Sequence, residues 1–145
     1  MSISATGWLP WALLSAAFAA MTAILAKIGI ANVDSDLATL LRTFVVVIAL
    51  GSLVVLTGKW QNPMQLSGRS LWFLTLSGLA TGASWFCYFR ALKIGEASRV
   101  APVDKLSVVL VALFAVAFLG ERPSPRDWIG ITLVGAGALL LSLKR

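Results

Sequence analysis

The chain contains no histidine and a single cysteine, Cys87. Those two scarcities exclude a histidine or cysteine metal cluster, a histidine-based catalytic triad and any intramolecular disulfide. Cys87 sits in an apolar run, where it reads as a small buried hydrophobe rather than a reactive thiol. Charge is scarce as well. Only 12% of the 145 residues are charged, against about a quarter in an ordinary soluble domain. The first Lys or Arg is Lys27. The opening apolar run therefore lacks the basic leader of a secretory signal, and a retained first helix is expected instead of a cleaved one. What remains is apolar: 59% of residues are hydrophobic, with a mean hydropathy of +0.89. A chain this short cannot hide that much apolar surface from water. An all-α integral membrane protein embedded in a lipid bilayer follows. The net charge of +6 is carried by cations dispersed near helix ends. That is the pattern of membrane-flanking charge, and no nucleic-acid partner is expected.

Five apolar runs predict a five-transmembrane-helix bundle, with helices at about 8–28, 37–57, 71–92, 100–119 and 128–143, the fifth short for a full span. Ser35 or Asp36 is the expected cap of the second helix. Pro102 leaves two options: it opens the fourth helix, or that helix starts near Ser98 and is kinked by the proline. Gly78 and Gly82 form a GxxxG pair on the third helix, a spacing that allows close helix approach. Five crossings place the termini on opposite sides. Trp8, Trp11, Trp60, Trp72 and Trp128 then gather at the N-terminal side as an aromatic belt. Lys27, Arg42, Arg90, Lys93, Arg99, Asp104 and Lys105 gather toward the other. Surface Lys and Arg are nearly balanced between the sides, counting Lys144 and Arg145, which leaves insertion in either orientation open.

Charges within apolar, membrane-length helices are costly without a partner or a water-filled site. Arg42, Asp104 and Lys105 are such charges, and they fall at a similar expected depth. Asp104 with Arg42 makes either a fixed ion pair locking two helices or part of a solute site. Trp85, Phe86, Tyr88 and Phe89 add an aromatic group on the third helix, from which Trp85 and Tyr88 are the candidate solute contacts. Arg90 reads first as an interface anchor. Glu121 reads as a cap or a salt-bridge partner of Arg122 or Arg126.

The stretch YFRALKIGEASRVAP, followed by FLGERPSPRDWIGITLVGAGALLL, resembles the EamA domain of the drug/metabolite transporter superfamily. Arg42 and the Gly120-Glu121 pair match the same pattern. VDKLS at Val103–Ser107 departs from it, since many relatives carry a second proline and apolar residues there. The resemblance implies one five-helix unit over residues 1–145, where most members carry two such units inverted relative to each other. It implies a secondary transporter of a small organic metabolite or drug-like solute in the inner membrane of a prokaryote. A homodimer would supply the missing half, and an antiparallel pair would recreate the inverted repeat. No catalytic role, cofactor or metal is expected. The alternative function is a membrane binding or assembly protein that transports nothing.

Overall fold

The computed structural model describes residues 7–143, and the described residues are helical with no strand. Six α-helices follow one another: α1 Leu9–Gly29, α2 Ser35–Leu56, α3 Gly68–Ile94, α4 Ala97–Asp104, α5 Ser107–Phe114 and α6 Pro125–Ser142. A short 3-10 turn, Pro63–Gln65, precedes α3, and a π-helical segment, Ala115–Leu119, continues α5. The chain divides into two compact units. One is Leu25–Lys93; the other joins Met1–Ile24 to Ile94–Arg145. Lys144 and Arg145, counted above among the flanking cations, lie outside the described residues.

Three stretches are long and apolar enough to cross a membrane: α1, α2 and the composite Ala97–Leu119. α3 has the length, at 27 residues, but carries Arg69, Arg90 and Lys93 among many Ser, Thr and Gly. α6 has 18 residues and begins with a polar turn. The helices bury little of their apolar surface. α2 buries none of its most apolar stretch, and Phe118 and Leu56 are more than four-fifths exposed. Helices apolar on every side need lipid or a partner around them.

In the unit Leu25–Lys93, the cap of α2 is Asp34, one residue ahead of the expected candidates. Its Oδ1 accepts from the backbone N–H of Asp36 at 2.9 Å and of Leu37 at 3.2 Å, so the helix starts at Ser35. Ile30, Phe89 and Leu92 are the most deeply buried large side chains. Beside them two lysines close helix ends. Lys27 Nζ donates to the Leu92 carbonyl at 2.6 Å. Lys93 Nζ donates to the carbonyls of Ile30, Ala31 and Val33, at 2.5, 2.9 and 3.0 Å. Each lysine lies in the last turn of its own helix and satisfies orphan carbonyls at the other's end. Cys87 is exposed on α3, not buried.

In the other unit, the expected continuous fourth helix is segmented. α4 begins at Ala97 with Pro102 inside it, so the kinking option is the one adopted. Proline lacks an N–H and crowds the preceding turn. Beyond it the backbone tightens to i→i+3 bonds: Lys105 N–H to Pro102 and Leu106 N–H to Val103, both 3.0 Å, then Val108 N–H to Lys105 at 2.9 Å. The far end loosens into the π-helical segment and stops at Gly120, whose φ of 68° suits a residue without Cβ. Glu121 N–H then reaches back to the Ala115 carbonyl at 3.2 Å. That backbone closure is the role of the Gly-Glu pair. Among the described residues Glu121 makes no ion pair. α6 starts three residues earlier than expected because Ser124 and Asp127 form a capping box ahead of Pro125 at the first helical position. α5 and α6 pack through small residues, with Ala112, Ala115, Gly135 and Ala138 buried. A Cβ at Gly135 would stand 2.9 Å from Val109 Cγ2.

Candidate functional site

Arg42 lies seven residues into α2, about 10 Å along the helix from its start. Facing it, α3 offers two stripes at spacing four. Trp85 and Phe89 share one, and Phe86 and Arg90 share the next. The Arg42 guanidinium carbon stands 4.3 Å from the Trp85 ring centroid and 5.3 Å from that of Phe89. Both distances are within cation–π range. Phe89 is buried, and Arg42, Trp85 and Tyr88 are half-buried. The Tyr88 ring meets Phe89 edge-on at 6.4 Å.

One turn away, Arg90 is fully answered. Nη2 and Nε donate to the two carboxylate oxygens of Asp36 at 3.0 and 3.3 Å, and the guanidinium stacks on Phe86 at 4.2 Å. The fork geometry matches a carboxylate. Arg90 is thus a bidentate partner of α2. The remaining charges of this unit's helix ends are also occupied: Asp34 by the α2 N-terminus, Lys93 and Lys27 by carbonyls. Arg42 differs. No carboxylate of its own unit pairs with it, and its N–H groups donate to no acceptor there.

Asp104 and Lys105 belong to the other unit and pair with each other, Nζ to Oδ2 at 3.3 Å. Both are exposed. The pair stands where α4 ends and the i→i+3 turn begins. Adjacent residues in an unbroken helix point about 100° apart; the end of α4 at Asp104 relaxes that constraint. Nearby, Arg99 donates to the carbonyls of Leu141 and Leu143 at 3.4 and 3.1 Å, closing the end of α6. At the opposite end of α5, an open cavity of about 550 Å³ has an apolar floor including Val111 and Ala115 and a rim of Glu121, Arg122 and Asp127.

The five candidate residues therefore fall into two groups. Arg42, Trp85 and Tyr88 surround one aromatic platform, and Asp104 and Lys105 form one ion pair. Phe89 and the Asp36–Arg90 pair are the partners that sequence reasoning underrated. Their signal was the four-residue spacing of Trp85 with Phe89 and of Phe86 with Arg90. The chemistry on offer is recognition by charge, hydrogen bonding and aromatic faces. Among the described residues, no His, Cys, Asp or Glu cluster could hold a metal ion.

The sequence model of the EamA-like transporter family matches residues 6–143, so it takes in both charge groups and every helix. The chain belongs to the EamA-like transporter family. A relative from Sinorhizobium sp, described as an uncharacterized transporter in the cobO 3'region, is 57% identical over 94% of this chain and 96% of its own length. The uncharacterized transporter YwfM of Bacillus subtilis is 29% identical over 69% of this chain but only 35% of its own length. A Yersinia pestis protein, described as a probable 4-amino-4-deoxy-L-arabinose-phosphoundecaprenol flippase subunit ArnE, is 29% identical over 57% of this chain and 74% of its own. No solved structure matches the chain. Membership in a transporter family, together with helices long and apolar enough to span a bilayer, makes this EamA-like chain a multi-pass membrane protein of transporter type.

Proposed function

We propose that this EamA-like protein is a secondary transporter of a small organic solute, acting as a homodimer in the inner membrane of a prokaryote. The observation that carries the reading is Arg42: a half-buried cation inside a membrane-length helix, against the Trp85 ring, with no carboxylate of its unit paired to it. An intramembrane charge without a fixed partner marks a solute pathway more often than a scaffold. In this reading residues 1–145 form one transport unit crossing the bilayer five times, with α3 and α6 completing the three strongly apolar spans. Arg42, Trp85 and Tyr88 are proposed solute contacts in their unit, and Asp104 and Lys105, at the interrupted fourth span, are proposed solute contacts in theirs. Interrupted helices with exposed termini recur at transporter binding sites.

Dimerisation draws support from two facts. A Cβ at Gly78 or Gly82 would meet nothing within 4 Å, so the GxxxG notch of α3 is free of close packing. The Yersinia relative is described as a flippase subunit, which fits a protein that works in an assembly. An antiparallel pair is the arrangement that recreates an inverted repeat.

The test is flux. The purified chain in liposomes should carry candidate metabolites saturably, with and without a proton gradient, above protein-free vesicles. Asp104→Asn should lower that flux while folding persists. Intact flux in Asp104→Asn would return the Asp104–Lys105 pair to a structural role.

A further inference from the structure

We infer that Arg42 is the recognition point for an oxyanion, a carboxylate or phosphate, on the solute or lipid this protein handles. The inference rests on the transporter reading and gives it a substrate class. A guanidinium presents five N–H donors in one plane and two flat faces. In Arg42 one face is stacked at 4.3 Å on Trp85, with Phe89 at 5.3 Å. Contact of the cation with the ring faces leaves its N–H groups for hydrogen bonding. Those N–H groups donate to no acceptor within its unit.

The contrast with Arg90 sharpens the point. Arg90 uses the same two devices, an aromatic face and a guanidinium fork, and Asp36 fills its fork through both oxygens. The fold therefore contains a worked example of what such an edge binds: a planar pair of anionic oxygens. At Arg42 the face is supplied and the carboxylate is not. Lysine would not serve equally, because its ammonium is a point charge without the planar edge. Trp85 and Phe89 add apolar and aromatic surface against the guanidinium. The class implied is an anion with an apolar or planar body. An organic cation is disfavoured by the uncompensated charge of Arg42.

A phosphate could come from a bilayer lipid headgroup or a free solute, and a carboxylate from a solute. The chain is purified in a phosphate-free maltoside detergent, and its thermal unfolding is followed against inorganic phosphate, benzoate, short-chain phosphatidylglycerol and tetraethylammonium. Saturable stabilisation by phosphate or benzoate is expected, with affinity lowered about tenfold or more in Arg42→Gln and less in Arg42→Lys. Stabilisation by the short-chain lipid alone, lost in Arg42→Gln, also upholds the oxyanion site and assigns its source to a headgroup. Stabilisation by tetraethylammonium, or anion binding unchanged in Arg42→Gln, overturns the inference. Should Arg42→Gln not fold, Trp85→Leu serves instead, since loss of the stacking face should weaken the anions by the same route. Anion binding without flux in liposomes would leave this inference standing and remove the transporter reading; flux indifferent to Arg42 would do the reverse.

Discussion

At the scale of single residues, four cations near helix ends are explained by what satisfies them. Lys27, Lys93 and Arg99 donate to backbone carbonyls at helix ends, and Arg90 holds Asp36. These are uses that composition cannot distinguish from snorkelling, because a lysine near a helix end looks the same in sequence whether it reaches water or a neighbouring carbonyl. Lys93 makes three such bonds. Lys93→Met should therefore lower the unfolding free energy in detergent by about 1 kcal/mol, the discount reflecting an exposed ammonium. Thermal unfolding of the two proteins side by side measures it. Equal midpoints would show that the three carbonyls are as well served by water. Arg42 and Trp85 were legible as candidates because a charge and an indole stand inside apolar runs. Their stacking was not, since it depends on the rotation of α2 against α3, and no spacing rule within one helix fixes that.

At the scale of elements, helix existence was plain and helix ends were not. The apolar runs identify α1, α2 and α3. Asp34 and the Ser124–Asp127 box move two starts toward the N-terminus, because polar caps extend a helix beyond its apolar part. The fourth run was expected as one helix and is three pieces. Pro102 announced the first break. The π-helical segment Ala115–Leu119 had no sequence signal, since AVAFL suits any helix. The packing of α5 against α6 yields a paired prediction. Gly135→Ala places a methyl 2.9 Å from the Val109 side chain, a stiff β-branched neighbour, and should cost about 1–3 kcal/mol. Gly137→Ala meets nothing within 4 Å and should be neutral or stabilising by up to about 1 kcal/mol. Thermal unfolding of both variants checks the pair; equal effects would contradict the packing described for Gly135.

At the scale of the whole molecule, the account requires five crossings and a second copy. Reporter fusions at Lys59 and Lys93 should report opposite faces of the membrane within one molecule, because α3 lies between them. Finding both on one face would remove the five-span topology. Gly78→Leu with Gly82→Leu should leave the fold intact, since both positions are open, while shifting the protein toward monomer in nanodiscs. An unchanged dimer would place the interface elsewhere. The most direct measurement for the central claim is solute flux. Proteoliposomes holding the wild-type chain or Arg42→Gln are loaded and assayed for exchange of small organic anions. The account expects saturable exchange by the wild type, above empty liposomes, that falls at least about tenfold in a folded Arg42→Gln protein. Exchange at equal rates in both proteins, or none by a correctly inserted wild type across a broad panel of solutes, would contradict it.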